Sequence, residues 1–138
     1  MHQPKDWTTK KQPARGENWP VDLHDDFAAE VRQFPQAVRE KLKAAAIILS
    51  QEGPLLGRPY TDTLKDSRHA NMKELRFDAD GGAWRVAYAF DPERKAILLV
   101  GGNKSGVGKT RFYRDLLRIA NERYDRHLQV LRSKRESG

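Results

Sequence analysis

Charged side chains alternate with apolar ones in the middle of this chain, between Asn71 and Lys104. Glu74 and Arg76 share one face of a predicted strand, and Arg85 falls on the matching face of the next predicted strand. Charged side chains of both signs on one sheet face, beside small alanines, are compatible with an opening that binds a ligand. A solvated sheet face with a salt bridge between Glu74 and either arginine fits the same pattern.

Three extended segments and two turns position these groups. The first turn spans residues 78–82 (DADGG), where consecutive glycines supply the positive φ angles of tight hairpins. The second spans residues 91–94 (DPER), with proline at the second position of a type I turn. Connections this short predict antiparallel neighbours, because a parallel crossover needs about a dozen residues or more.

The middle segment predicts which face of the sheet is buried. Its large apolar side chains fall at alternate positions: Trp84, Val86, Tyr88 and Phe90. Arg85 and two alanines lie between them, so the second face is predicted to be a shallow open floor with a ligand-sized opening. The third segment, residues 96–100, is apolar throughout, which favours a deeply buried strand.

Helical segments precede and follow the predicted sheet. Apolar residues recur at helical spacing over residues 27–34 and 38–49, which predicts a helical hairpin packed on the buried face. A last helix is predicted to begin near Thr110 and to bury a stripe that reaches Leu131. Residues 19–23 read as a short edge strand. The expected fold class is therefore α+β, a small antiparallel sheet with two N-terminal helices and one C-terminal helix.

Length and composition indicate one domain, predicted to span residues 19–132 of the 138. Residues 1–18 are expected to form a flexible arm and residues 133–138 a loose tail. The chain has no cysteine, so neither a disulfide framework nor a thiolate metal site is predicted. It also lacks an apolar run of about 20 residues and the apolar core of a secretory signal, so we expect a cytoplasmic protein with no membrane partner.

The net charge of +7 is concentrated at the C-terminal end. From Lys104 onward ten basic residues face four acidic ones, whereas residues 21–103 carry 12 basic and 13 acidic groups. Such an excess favours a polyanion as the partner, bound through its phosphates. An acidic protein surface would satisfy the same charge.

Residues 101–110 (GGNKSGVGKT) resemble a nucleotide-binding P-loop but depart from it. That motif needs a glycine five positions before Gly108, and Asn103 stands there. An antiparallel sheet is also the wrong setting, so nucleoside triphosphate binding is not predicted. The loop can still hold a phosphate through its backbone N–H groups and through Lys104 or Lys109.

Three stretches resemble a known family: residues 57–77 (GRPYTDTLKDSRHANMKELRF), 84–106 (WRVAYAFDPERKAILLVGGNKSG) and 112–128 (FYRDLLRIANERYDRHL). Together they resemble the phage-related HigB branch of the RelE/ParE toxin superfamily. The resemblance implies the same α+β fold and the toxin of a type II toxin–antitoxin pair, neutralised by a HigA-like helix-turn-helix antitoxin. It further implies cleavage of mRNA in the ribosomal A site, with no metal or other cofactor. In that chemistry the 2′-hydroxyl attacks the adjacent phosphate and leaves a 2′,3′-cyclic phosphate.

The resemblance also implies site residues. Arg85 aligns with the family's phosphate-stabilising arginine on the middle strand, and Lys104 lies where a basic residue follows the last strand. Arg76 shares the face of Arg85, and Lys73 belongs to the family's KELR motif. RelE carries lysines on this first strand where Glu74 stands here, which makes a carboxylate the candidate base. We expect the nearby cations to lower the pKa of Glu74 and keep it ionised.

Other roles stay open at this point. Tyr113 and His69 are both candidates for the general acid. The residues expected to bind RNA phosphates are Arg58, Arg68, Lys109, Arg111 and Arg114. A ParE-like toxin that inhibits DNA gyrase without cleaving nucleic acid is the alternative function, although ParE proteins generally lack a basic cluster on these strands. A third hypothesis is a non-catalytic basic adaptor protein.

Overall fold

A five-stranded sheet forms the centre of the computed structural model, which describes residues 18–137. Its strands are β1 (Val21–Leu23), β2 (Thr61–Thr63), β3 (Lys73–Ala79), β4 (Gly82–Phe90) and β5 (Ala96–Asn103). They lie in the order β1-β5-β4-β3-β2. Every pairing is antiparallel except that of β1 with β5, so the sheet is mixed and not wholly antiparallel as predicted. The two turn signals concern only β3, β4 and β5, and they carry no information about the direction of an edge strand.

Both predicted turns form. In the first, Asp80 (φ 52°) and Gly81 (φ 75°) adopt left-handed conformations, whereas Gly82 begins β4. Positive φ at two central positions is the geometry of a type I′ hairpin. The sequence predicted that two glycines would supply it, but Asp80 and Gly81 do so. In the second turn, the N–H of Arg94 donates to the carbonyl of Asp91 at 2.9 Å, as a type I turn requires.

Two N-terminal helices, α1 (Asp25–Val31) and α2 (Gln36–Glu52), pack on the sheet face predicted to be buried. A short 3-10 turn, Gly53–Leu55, follows α2. The Nδ1 atom of His24 accepts a hydrogen bond from the N–H of Asp26 at 3.1 Å and caps α1. The buried side chains between the helices and the sheet are Phe27, Leu42, Leu49, Leu56, Leu75, Val86, Tyr88, Ala96 and Leu98.

Trp84 packs at one end of this layer and gives a test of the face assignment. Its ring centroid lies 5.0 Å from that of Phe34, it packs with Val38, and it is 8% exposed. We expect Trp84→Ala to lower the free energy of unfolding by ~3–5 kcal/mol, because a buried indole is lost and a cavity remains. Thermal melting beside Val107→Ala, an exposed apolar control, measures this. A melting temperature equal to that of the wild type would contradict the assignment of the face.

A third helix, α3 (Lys109–Ser137), covers much of the second sheet face. The buried core beneath it consists of Leu64, Met72, Ala87, Ala89, Ile97, Leu99, Val100, Leu116, Ala120 and Tyr124. Ala87 and Ala89 are fully buried, so their small side chains make room for a helix and not for a ligand. The prediction of an open floor across this face was therefore wrong. The end of the face near Glu74 and Arg76 borders an open cleft.

Ion pairs tie α3 to α1. The guanidinium of Arg123 donates to Glu30 Oε1 at 2.9 Å and to the carbonyl of Leu99 at 2.8 Å, and Arg126 pairs with Asp26 at 2.9 Å. Part of the C-terminal positive charge is therefore paired with carboxylates of α1.

The ends of the chain differ from the sequence-based expectations. Helix α3 starts one residue before Thr110 and continues to Ser137, through residues expected to be loose. The predicted flexible arm lies outside the described residues, except for position 18. Among the helices of residues 18–137, none is both long enough and apolar enough to cross a membrane.

Strand β2 lies within residues 58–71, a stretch whose sequence has no clear apolar period. Thr61 is buried, and its hydroxyl donates to the carbonyl of Leu56 at 2.9 Å. In the β2–β3 register, Asp62 lies directly opposite Glu74. Strand β2 therefore extends the sheet face that carries the charged cluster.

Candidate functional site

A cleft of about 900 Å³ lies between the end of the second sheet face and the first turns of α3. The cations that line it are Arg58, Lys65, Arg76, Lys104, Lys109 and Arg114, and the carboxylates are Asp62, Asp66 and Glu74. This excess of positive charge in a concave surface concentrates anions. Strand β3 provides Glu74 and Arg76, the chain after β5 provides Lys104, and α3 provides Tyr113.

The register of the sheet brings charged residues of β3 and β4 together. Arg76 lies directly opposite Arg85, and Glu74 lies opposite Ala87. Arg85 is therefore a diagonal neighbour of Glu74, within reach of a long side chain. The Nε atom of Arg85 lies 4.0 Å from Glu74 Oε1. Two like charges placed directly opposite each other destabilise a sheet, and here the carboxylates of Asp62 and Glu74 lie close enough to offset them.

Glu74 is a buried carboxylate, only 5% exposed. The hydroxyl of Tyr113 donates to its Oε1 atom at 2.9 Å. Burial raises the pKa of Glu74 above its usual value of 4.5, and this outweighs the opposite effects of Tyr113, Arg85 and Arg76. The cations do act to lower this pKa, but the expectation that their effect prevails was wrong, because the sequence pattern did not predict that α3 covers this face.

Arg85 is held rigidly beside Glu74. It is 7% exposed, and its Nη1 atom donates to the carbonyl of Trp84 at 2.9 Å. Its buried Nε atom has no hydrogen-bond partner within residues 18–137. A buried donor without a partner is unfavourable, and an anion that accepted from it would relieve this cost. Arginine also suits phosphate because its planar fork can donate two parallel hydrogen bonds.

Lys104 and Tyr113 are both candidate proton donors, and their pKa values are shifted in opposite directions. The backbone N–H of Lys104 donates to the carbonyl of Ala83 at 2.7 Å, which fixes Lys104 at the cleft. Partial desolvation, aided by the charges of Arg85 and Arg76, lowers the pKa of Lys104 below 10.5. Burial and then the adjacent Glu74 raise the pKa of Tyr113 above 10.0. These opposite shifts favour Lys104 over Tyr113 as the candidate proton donor.

Lys73 lies outside the cleft. It alternates with Glu74 along β3 and so shares the opposite face with Leu75, which packs against the N-terminal helices. Its Nζ atom donates to the carbonyl of Pro54 at 3.4 Å. The motif that suggested Lys73 as a site residue places Glu74, and not the lysine, on the face that borders the cleft.

His69 is also absent from the cleft. Its Nε2 atom lies 2.8 Å from Asp125 Oδ1, and its ring packs edge-on against Tyr124. Asp125 is twelve residues beyond Tyr113 on α3, which is roughly 18 Å along a helix axis. His69 therefore ties the β2–β3 connection to α3 and does not reach Glu74 through these contacts.

The predicted phosphate-binding cations divide into two groups. Arg58, Lys109 and Arg114 line the cleft. Arg68 instead pairs with Asp125, and Arg111 lines a separate groove of about 510 Å³ on another side of α3. All five were predicted to bind RNA phosphates, but the sequence does not indicate which of them lie at the same cleft.

Asp62 is a residue of the cleft that sequence analysis missed. Its Oδ2 atom lies 2.8 Å from Arg58 Nη2 and 3.6 Å from Arg76 Nη1. The alternation of Thr61 and Thr63 around it is a weak strand signal, too short to be recognised within a polar loop.

The glycine-rich segment after β5 forms a closed turn. Asn103 Oδ1 accepts from the N–H of Ser105, and the Ser105 hydroxyl oxygen accepts from the N–H of Ala83. These side chains hold the segment against the start of β4 and so position Lys104. Within residues 18–137, no three side chains of His, Asp or Glu converge in a way that would hold a metal ion.

The protein is similar in sequence to one known family and to two known proteins. The family of phage-derived proteins described as Gp49-like matches residues 29–125. The candidate toxin HigB3 of Mycobacterium tuberculosis is 48% identical over 112 residues, which are 81% of this chain and 86% of HigB3. The candidate toxin HigB2 of the same organism is 40% identical over 111 residues, which are 80% of this chain and 54% of HigB2. The chain therefore spans about half the length of HigB2.

The fold is similar to that of the Escherichia coli toxin RelE, solved in the free state as a double arginine-to-alanine mutant. The TM-score is 0.52 at 15% sequence identity, and the match covers 72% of this chain and 94% of RelE. At this identity the likeness concerns the fold alone. It confirms the α+β architecture predicted from the sequence.

Proposed function

The chain belongs to the Gp49-like family and to the HigB-like branch of the RelE/ParE superfamily that its motifs resemble, and we propose that it is the toxin of a type II toxin–antitoxin pair that cleaves mRNA on the ribosome. The toxin role is supported by its two curated relatives, which are both candidate toxins. The cleavage activity is supported by the cleft. A HigA-like helix-turn-helix protein is the proposed antitoxin, and the cytoplasm is the proposed location.

One observation carries the proposal of nuclease activity. A buried carboxylate with a raised pKa lines a cleft rich in cations, and beside it lies a buried arginine whose Nε atom has no hydrogen-bond partner within residues 18–137. A plain salt bridge would have Arg85 and Glu74 in direct contact, yet the Nε of Arg85 and Oε1 of Glu74 are 4.0 Å apart. The carboxylate instead accepts from Tyr113. Arg85 does not itself line the cleft, so its proposed role is to stabilise, by its positive charge beside Glu74, a phosphate that is held there.

The first half of the proposed reaction uses Glu74 as the base. Its carboxylate takes the proton of a ribose 2′-hydroxyl, and the 2′ oxygen then forms a bond to the adjacent phosphorus. A base works best when its pKa lies near the pH of the reaction, so the raised pKa of Glu74 favours this role. Tyr113 orients the carboxylate by donating to Oε1 and leaves Oε2 for the substrate.

The second half uses the cations. Arg85 and Arg76 stabilise the added negative charge of the pentacoordinate phosphorane. The bond from phosphorus to the 5′ oxygen breaks, and the ammonium group of Lys104 gives its proton to that oxygen. The products are a 2′,3′-cyclic phosphate and a 5′-hydroxyl, and Glu74 and Lys104 regain their starting protonation states by exchange with water.

The test of this function is primer extension on mRNA in programmed ribosomes, run beside a DNA gyrase supercoiling assay. We expect the wild-type protein to cut the mRNA and to leave supercoiling unchanged. Inhibited supercoiling with intact mRNA would instead indicate a ParE-like toxin and would overturn the proposed nuclease.

The pH dependence of cleavage gives a prediction about the acid and the base. We expect the single-turnover rate to rise with pH as Glu74 loses its proton, with an apparent pKa above 4.5. The rate should fall again at higher pH as Lys104 loses its proton, with an apparent pKa below 10.5. Measured on programmed ribosomes, Lys104→Arg should remove the descending limb, because arginine stays protonated. A descending limb that is unchanged in that variant would show that Lys104 is not the acid.

A further inference from the structure

Asp62 lies between two arginines at the edge of the cleft. Both contacts use the same oxygen: Oδ2 is 2.8 Å from Arg58 Nη2 and 3.6 Å from Arg76 Nη1. The other oxygen, Oδ1, accepts the backbone N–H of Thr63 at 2.9 Å. Strand β2 therefore holds the carboxylate in a fixed orientation, with one oxygen presented to the pair of arginines.

The carboxylate is both charged and replaceable. The hydrogen bonds from Arg58 and Thr63 keep the pKa of Asp62 below its usual value, so it is ionised at neutral pH. The side chain of Asp62 is 30% exposed and that of Arg58 is 74% exposed. Exposed ion pairs of this kind contribute little free energy, so another anion can displace the carboxylate.

A phosphate has the same means of binding as this carboxylate. Both present negatively charged oxygens to guanidinium groups, and both form charge-assisted hydrogen bonds with them. Arg76 lies directly opposite Arg85, so its neighbourhood adjoins the proposed reaction centre. In the β2–β3 register Asp62 also lies directly opposite Glu74.

We propose that Arg58 and Arg76 form a second phosphate-binding subsite, which the carboxylate of Asp62 fills until a phosphate of single-stranded RNA displaces it. The inference rests on the proposed function and specifies its substrate as a continuous strand with a phosphate beside the one that is cleaved. An RNA must displace Asp62 to bind here, so the carboxylate weakens binding to every strand. It also reduces the net number of ions released when RNA binds, because the two arginines are already partly neutralised.

The experiment compares Asp62→Asn with Asp66→Asn. Asp66 lines the same cleft, and its removal changes the net charge equally, but no ion pair joins it to Arg58 or Arg76. The probe is a short single-stranded RNA with 2′-O-methyl groups, which cannot be cleaved by attack of the 2′-hydroxyl. Its binding is measured by fluorescence anisotropy over a series of salt concentrations.

We expect Asp62→Asn to bind this RNA up to about fivefold more tightly than the wild type, the scale of one exposed ion pair. The plot of log affinity against log salt should steepen by about 0.7, the value for one additional phosphate contact on a single strand. Asp66→Asn should change this slope by less than half as much. Adding Arg58→Met to Asp62→Asn should return the slope to that of the wild type.

Equal slopes for Asp62→Asn and Asp66→Asn would overturn the subsite, because a general change of charge would then explain both. A steeper slope that survives Arg58→Met would also overturn it. The proposed nuclease activity is tested separately. It would be contradicted if wild-type protein binds the RNA but leaves ribosome-bound mRNA intact. The binding slopes are measured without any cleavage, so the two failures are distinguishable.

Discussion

Replacing Arg85 with alanine is expected to slow mRNA cleavage by about a hundredfold to a thousandfold and to abolish toxicity. Arg85 is a buried arginine whose Nε atom has no hydrogen-bond partner within residues 18–137, and its loss removes a fixed positive charge from beside the proposed phosphorane. It points away from the face on which Trp84 packs, so we expect the fold to be retained. The rate is measured by single-turnover primer extension on programmed ribosomes, and the fold is checked by circular dichroism.

A matched control for this prediction is Arg118→Ala. Arg118 is an exposed arginine of α3 that pairs with Asp115 at 3.8 Å, and it does not line the cleft. The same chemical change there should leave cleavage within about twofold of the wild type, because surface substitutions away from a site have small effects. A folded Arg85→Ala protein that cleaves at the wild-type rate would remove Arg85 from the proposed mechanism.

Replacing Glu74 with glutamine is expected to slow cleavage by about a hundredfold to ten-thousandfold. Glutamine keeps the shape of the side chain and its acceptor for the Tyr113 hydroxyl, but it cannot take a proton from the 2′-hydroxyl. Binding to programmed ribosomes should persist, because the cations of the cleft remain. A small loss of rate with weaker binding would indicate that Glu74 only orients the arginines.

The same variant has an expected effect on stability. Burial raises the pKa of Glu74 in the folded protein, so the folded state holds this proton more tightly than the unfolded chain. The resulting stability is present in acid and is lost as pH rises above 4.5 and through the raised pKa. Glu74→Gln removes this loss, so at neutral pH it should melt no lower than the wild type. Its low activity would then follow from chemistry and not from unfolding.

The core of the fold could be predicted because its signals are local. The turns at residues 78–82 and 91–94 and the alternation from Trp84 to Phe90 define the β3–β4–β5 meander, and helical spacing defines the layer beneath it. The direction of β1 could not be predicted, because it pairs with β5 across most of the chain. Its pairing depends on tertiary packing, which leaves no short-range pattern.

The charged residues of the site could be identified, but their environment could not. Alternation on β3 and β4 gave Glu74, Arg76 and Arg85 a common face, and the structure has them adjacent. Coverage by α3 reverses the expected pKa shift of Glu74, since burial depends on a helix that lies far along the chain. His69 lay near the strand in sequence, yet its contacts are with the far part of α3.

The chemical ends of the RNA fragments test the central claim most directly. Fragments are isolated after the wild-type protein acts on mRNA in programmed ribosomes, and their termini are identified by enzymatic end-labelling and mass spectrometry. Attack by the 2′-hydroxyl predicts a 2′,3′-cyclic phosphate on the upstream fragment and a 5′-hydroxyl on the downstream one. A 2′-deoxy substitution at the cleavage position should prevent the cut. Fragments that carry a 3′-hydroxyl and a 5′-phosphate, or cleavage that persists at the 2′-deoxy position, would contradict the account.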